Sequence, residues 1–243
     1  MAINIQARTT RAAVIGAFVL CVPLGTRVFG QDTVSPTSVK FQTPEFLTFE
    51  ELKVLSEDPY PEGSIREKFQ ALWRAPIISN EAWYRGARPH RPSSSTLGPF
   101  LRVVSWNIEK SIEMDAAIEA LTDPEAFARR LDPRKATPGS QMHQQALAER
   151  ALLEHADVIL LQEMDIGMKR SGYRDAAREL AEALDMNYAF LPEQVEVDPV
   201  LLGLEEVEFE EGAPYAGASR YYREDPNRYK GLFGVAVLSR YPI

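Results

Sequence analysis

Across 243 residues the chain holds one cysteine, Cys21, and three histidines, His90, His143 and His155. A lone cysteine cannot form an intramolecular disulfide, and without a Cys-x-x-Cys pair neither a zinc ribbon nor dithiol exchange is open to the chain. No Gly-x-Gly-x-x-Gly loop, P-loop or internal repeat occurs, which sets aside the dinucleotide-binding, P-loop and solenoid classes. Long apolar runs are missing too, since the uncharged stretch Ala12 to Leu24 is too short to cross a bilayer as a helix. Positive charge is in deficit: 27 Lys and Arg stand against 35 Asp and Glu, a net charge of -8. That balance argues against a broad nucleic-acid surface, which depends on Lys and Arg neutralising phosphates.

What the N terminus does contain has the form of an export signal. Arg8 and Arg11 precede the uncharged run, Pro23 and Gly25 interrupt it, and Val28-Phe29-Gly30 offers a cleavage point before Gln31. Residues 1–30 are read as a signal peptide, with a secreted or periplasmic mature protein and no transmembrane span within it. Their removal takes away Arg8, Arg11 and Arg27 but no acid, leaving 24 basic residues against 35 acidic ones and a net charge of -11. Cys21 leaves as well, so the mature chain depends on its packed core alone.

Residues 31–99 read as an N-terminal extension and a linker. Thr48-Phe49-Glu50-Glu51 and Ser64-Ile65-Arg66-Glu67 both have capping-box spacing ahead of apolar residues. Arg85 to Arg91, followed by Pro92, Ser93-Ser94-Ser95 and Pro99, reads as a solvated connector rather than a basic-aromatic binding patch. From residue 100 the pattern is strand, helices, strand, helix, strand, loop, strand. Leu147, Ala148, Ala151 and Leu152 are expected to form one core-facing helical stripe, and Tyr173, Ala176, Ala177, Leu180 and Leu184 another. Tyr188 to Leu191 is a short strand ended by Pro192. The acidic stretch Glu205 to Glu211 reads as a solvated loop rather than a Ca2+ site.

Chemistry concentrates at two strand ends. The run Leu101 to Trp106 is closed by Asn107, and the run Asp157 to Gln162 is closed by Glu163; both are apolar enough to be buried strands. Taken alone, Trp-Asn after a strand reads equally well as a turn, and Gln-Glu after a strand is common. Together they put an amide and a carboxylate at neighbouring strand ends, a donor set suited to Mg2+, which uses one or two carboxylates and keeps positions for water and phosphate. A third run, Gly234 to Ile243, reads as a further buried strand ended by Ser239-Arg240 and Pro242. In this order the three segments resemble the endonuclease/exonuclease/phosphatase superfamily, which includes DNase I-like nucleases, neutral sphingomyelinases and inositol polyphosphate phosphatases. The resemblance covers about residues 100–243.

That resemblance implies an α/β fold, the DNase I-like four-layer αββα sandwich, of which residues 100–243 would form the first half: one sheet and part of the second. It implies that Glu163 binds Mg2+ or Mn2+ directly with Asn107 beside it, and that the substrate is a phosphate ester, whether DNA, a phospholipid headgroup or a sugar phosphate. Lys169 and Arg170 follow Glu163 closely enough to be candidate phosphate contacts, the alternative being ion pairs with Asp165 or Asp175. The family also uses an Asp-x-Asn pair and a Ser-Asp-His, both beyond the third segment in such proteins. Asp225-Pro226-Asn227 matches the first only in its letters, because Pro226 in a polar stretch reads as a turn. His155 reads as a residue at a helix C-terminus. The expectation is therefore a metal-dependent phosphoesterase in its intact form, inactive as this chain, with a non-catalytic secreted binding or remnant protein as the alternative. Phe233 and Val235 also depart from the polar residues that many relatives resemble there.

Overall fold

The computed structural model describes residues 39–90, 92–96, 98–206 and 222–243, together with the backbone of strands 3–6 and 14–23. The proposed cleavage point before Gln31 and most of the acidic stretch 205–211 lie outside the described residues. The elements run β1 (Ile3–Gln6), β2 (Val14–Pro23), β3 (Phe41–Gln42), α1 (Phe49–Glu57), α2 (Gly63–Arg74), β4 (Ile77–Ser79), α3 (Glu81–Arg85) and β5 (Ser93–Ser94). There follow β6 (Gly98–Asn107), α4 (Met114–Thr122), α5 (Pro124–Arg130), α6 (Gln141–Glu154), β7 (Val158–Ile166), α7 (Ala176–Ala183), β8 (Asn187–Val195) and β9 (Leu232–Ser239).

All of these strands join one mixed sheet in the order β1-β2-β6-β7-β9-β8-β4-β3, with β5 on β6. Among the described strands only β6 and β7 pair in parallel, joined by a strand-helix-strand connection through α4, α5 and α6. β9 lies between β7 and β8, antiparallel to both. The register lines up one face of side chains: Val104 and Trp106, then Ile159 and Leu161, Ala236 and Leu238, Tyr188 and Phe190. Each of these is buried. α7 contacts β7, β8 and β9 with Ala176, Ala177, Leu180 and Ala181 buried. The opposite face is less covered, with Leu160 37% and Leu191 40% exposed. Thus the apolar runs that read as fully buried strands carry one covered face and one open face.

Several local expectations are met and others are corrected. Thr48 caps α1 with the full reciprocal capping box, but Ser64 lies inside α2, whose N-cap is Glu62 without a side-chain bond. In α6 the buried positions are Arg150 and Leu153, with Ala146 and Leu147 half-buried, while Ala148, Ala151 and Leu152 are exposed. The stripe is rotated because Arg150 belongs to it: its guanidinium donates to the carbonyls of Ala120 (2.8 Å) and Leu121 (3.1 Å) at the end of α4. In α7 the expected Ala176, Ala177 and Leu180 are buried, joined by Ala181, whereas Tyr173 precedes the helix with a left-handed backbone (φ 62°) and Leu184 is its C-cap, both half-buried against the core. β7 does not stop at Glu163 but continues to Ile166, and β8 continues past Pro192 to Val195.

The stretch read as extension and connector is tied into the sheet. Asn80, fully buried, donates to the carbonyls of Val39 (2.8 Å) and Ile243 (2.7 Å) and accepts the Ile243 N–H (2.7 Å). Asn187 accepts from the Trp83 N–H and donates to the Ser239 and Tyr241 carbonyls. Arg240 holds the other side, donating to the Ala156 (2.9 Å) and Glu154 (3.1 Å) carbonyls at the end of α6. Among the described residues no helix is long and apolar enough to cross a membrane.

Candidate functional site

Asn107 and Glu163 come together. The Asn107 amide donates to Glu163 Oε1 at 2.7 Å, and its Oδ1 accepts the Glu109 N–H at 2.8 Å. Those two partners fix the orientation of the amide, because a carboxylate can only accept and a backbone N–H can only donate. No hydrogen bond among the described residues engages the other Glu163 oxygen. Asn107 is exposed and Glu163 half-buried, so the pair opens to solvent.

The position of Glu163 follows from an extra residue in β7. Between the pairs Leu161–Ala236 and Met164–Gly234, β7 advances three residues while β9 advances two. In a regular strand Glu163 would share the covered face with Leu161. The bulge gives that inward place to Met164, 0% exposed, and leaves Glu163 turned out of the core. The backbone at Glu163 is left-handed, φ 58°, a conformation that costs a residue with a side chain roughly 1 kcal/mol or more. Opposite the bulge, Gly234 also faces a register shift in β8, and a Cβ there would lie 2.2 Å from the Leu191 carbonyl oxygen. Only glycine lets both neighbouring strands kink against β9 at this level.

The loop leaving β6 is wound against the same bulge. Glu109, Lys110 and Ser111 all have left-handed backbones, with φ of 50°, 57° and 55°. This turn drives Ser111 into the core, where its Oγ accepts the Asp165 N–H (3.2 Å) and lies 3.8 Å from Met164 Sδ. The Ile108 N–H reaches the Gln162 carbonyl at 3.1 Å, extending the β6–β7 ladder past Asn107. None of the three left-handed residues is glycine or asparagine, so this support was invisible in the sequence.

Lys169 and Arg170 are engaged elsewhere. Arg170 grips Asp165 through Nε (2.8 Å) and Nη2 (2.9 Å), reaches Glu196 through Nη1 (3.0 Å) and lies over the Phe233 ring at 5.7 Å. This is the ion pair held open as its alternative, and it leaves the guanidinium committed internally rather than aimed at a phosphate. Phe233 is explained by the same contact. Lys169 Nζ donates to the Arg223 carbonyl at 2.8 Å. Burial holds the Asp165 carboxyl above its ordinary value, with Arg170 opposing the rise. Burial likewise raises Glu224, whose Oε2 has no hydrogen-bond partner among the described residues.

The remaining candidates stay apart from the pair. Asp225 closes a turn, its Oδ1 accepting the Asn227 N–H at 2.9 Å, and His155 is the exposed C-cap of α6. A second Asp-x-Asn that sequence reading passed over, Asp185-Met186-Asn187, is structural: Asp185 pairs with Arg85 at 2.9 Å and Asn187 is the clamp described above. Among the described residues no group of three or more His, Cys, Asp or Glu could hold a metal ion. Asn107 and Glu163 nevertheless fit a hard cation in part, offering one uncommitted carboxylate oxygen and an amide oxygen with a second lone pair.

Two expectations test this geometry. Glu163→Ala and Glu163→Gly both remove the bond to Asn107, but only glycine relieves the left-handed backbone, so the Gly variant should be more stable by about 1 kcal/mol in urea unfolding. Equal stability would mean that the backbone there is unstrained. Arg170→Ala should cost about 3 kcal/mol at neutral pH by leaving the Asp165 charge buried and unpaired. A raised folded value means that the Asp165 contribution is full at acid pH and lost as pH rises through that value. The penalty of Arg170→Ala should therefore shrink towards pH ~4, near the ordinary Asp range, as the carboxyl takes up its proton.

Against this geometry, the sequence model of the Endonuclease/Exonuclease/phosphatase family matches residues 104–243, more than half of the chain. No curated protein and no solved structure matches it. The match begins within β6 and takes in Asn107, the bulge with Glu163 and all of β9, and the mixed α/β architecture is that of a DNase I-like fold. The chain belongs to the Endonuclease/Exonuclease/phosphatase family.

Proposed function

We propose that this domain, in its intact form, is a divalent-cation-dependent phosphoester hydrolase whose cation is held by Glu163 with Asn107 beside it. The observation that carries the reading is the Asn107–Glu163 pair itself, set where β6 ends beside the bulge of its parallel neighbour β7, with the second carboxylate oxygen unengaged among the described residues. Bound Mg2+ or Mn2+ would supply Lewis-acid stabilisation of charge building on the phosphoryl oxygens. Asn107 orients the carboxylate, and the Glu109 N–H and the Ser111 hydroxyl hold the two strand ends in place. The substrate class is a phosphate ester: DNA, a phospholipid headgroup or a sugar phosphate. An acidic chain of this kind takes a nucleic acid as a transient substrate, not as a stable partner.

We further propose that residues 100–243 form the first half of the active domain. The reading is supported by the lack of a Ser-Asp-His, the structural employment of both Asp-x-Asn segments, and the open sheet face bearing Leu160 and Leu191. Export with removal of residues 1–30 remains part of this proposal; it would take β1 and β2 away and leave β6 at the sheet edge. The non-catalytic alternative has one observation in its favour, since the pair is not joined by a third His, Cys, Asp or Glu among the described residues.

Calorimetry on the chain should give weak Mg2+ or Mn2+ binding, abolished in Glu163→Gln, because one carboxylate and an amide leave most positions to water. Turnover of a generic phosphodiester should stay near background, as removing one positioned acid or base alone costs roughly 10²–10⁴-fold. Metal binding untouched by Glu163→Gln would remove the basis of the reading. Robust turnover lost in both Asn107→Ala and Glu163→Ala would show that the site is complete within these residues.

A further inference from the structure

A cleft of about 260 Å³ opens between β4, α3, β8 and the last turn of α7, lined among others by Phe41, Glu81, Arg85, Arg178, Glu182 and Tyr188. It is distinct from the Asn107–Glu163 pair. Tyr188 lies opposite Leu238, which lies opposite Ile159, and Glu163 stands four residues further along β7, on the order of 13 Å at the usual strand rise.

The charges around the cleft do not cancel. Arg85 is paired with Asp185 (2.9 Å) and Arg178 with Asp175 (2.8 Å), so each arginine already has its carboxylate. Glu81 and Glu182, exposed at the rim, make no salt bridge or side-chain hydrogen bond among the described residues. Two negative charges are thus left over. On the floor, Tyr188 is only 3% exposed, yet its hydroxyl has no hydrogen-bond partner among the described residues. Tyr188 lines the cleft, and Glu81, Asp175, Arg178 and Glu182 are all near enough to act electrostatically on its hydroxyl. The ring is buried while the hydroxyl keeps contact with solvent and stays unpaired by the described residues, so a ligand or water at the cleft can satisfy it. Phe41, 51% exposed, offers an aromatic face at the mouth.

We propose that this cleft binds a small primary alkylammonium ion. Glu81 and Glu182 supply the counter-charge, the Tyr188 oxygen accepts one ammonium N–H, and the Phe41 ring adds a cation–π contact. An anion is disfavoured by the same arrangement, since each arginine is already paired with a carboxylate and the two uncompensated carboxylates would repel it. The volume is below the roughly 300–1,000 Å³ of pockets for drug-sized ligands, which suits a short alkyl chain and excludes a nucleotide. Because the two carboxylates sit at an exposed rim, the affinity is modest and falls with added salt.

The test is titration of the full chain with 1,5-diaminopentane, n-butylammonium and inorganic phosphate, following the amide resonances of Glu81 to Arg85, Ala181, Glu182 and Tyr188. Saturable shifts with both amines are expected at about millimolar concentration and none with phosphate. Glu81→Gln combined with Glu182→Gln should weaken amine binding about tenfold, and Tyr188→Phe should weaken it with the circular dichroism spectrum unchanged. Shifts with phosphate in place of amine, no shifts at these amides, or amine binding that ignores all three substitutions would overturn the proposal. Should the double substitution disturb folding, Tyr188→Phe and the phosphate control still decide it.

Discussion

One extra residue in β7 determines how the candidate site is built. Strand geometry alternates side chains between faces, and one face of this sheet is packed under α7. A glutamate in step with Leu161 would be a buried, unpaired charge. The insertion passes the inward position to Met164 and sends Glu163 outward, at the cost of a left-handed backbone. The rest follows from accommodating that insertion: Gly234 clears space opposite it, and the left-handed turn at residues 109–111 brings Ser111 down to hold Met164 and Asp165.

Strain and electrostatics are divided along the chain in a way that serves this arrangement. Beyond the bulge, β7 carries Asp165 into a fully buried position, which is tolerable because Arg170 returns from the next turn as a bidentate partner with Glu196 and the Phe233 ring around it. A buried ion pair of this kind is weak evidence for stability but strong evidence for a fixed geometry, since breaking it strands a charge. It anchors the segment after Glu163 through the Asp165 side chain, while Ser111 holds it through the Asp165 N–H. The end of the described chain is anchored too, by Asn80, Asn187 and Arg240.

The strands were legible because the apolar runs at Leu101, Asp157 and Gly234 are long, although their bounds shift, β7 running on to Ile166 and β9 spanning Leu232–Ser239, and the core of the α7 stripe was legible because small and large apolar residues recur at helical spacing. The Asn107–Glu163 pair was legible from the residues closing two of those runs. The α6 face was misread because its core position is an arginine whose role, binding carbonyls of α4, is tertiary. The bulge left a trace in Gly234, a glycine inside an otherwise apolar strand, which is the usual mark of a bulge or a close backbone approach. The left-handed turn left none, because Glu109, Lys110 and Ser111 adopt it under tertiary constraint. The cleft around Tyr188 was equally hidden, its charges coming from α3 and α7, which are far apart in sequence.

The central claim is that the pair on the bulge is where a divalent cation binds. Paramagnetic broadening by substoichiometric Mn2+ tests it most directly. The Asn107 side-chain amide and the backbone amides of Ile108, Glu109, Glu163 and Met164 should broaden first, and Glu163→Gln should remove the effect. Broadening centred instead on the acidic stretch 205–211 or on Asp225 to Asn227, unchanged by Glu163→Gln, would contradict the account.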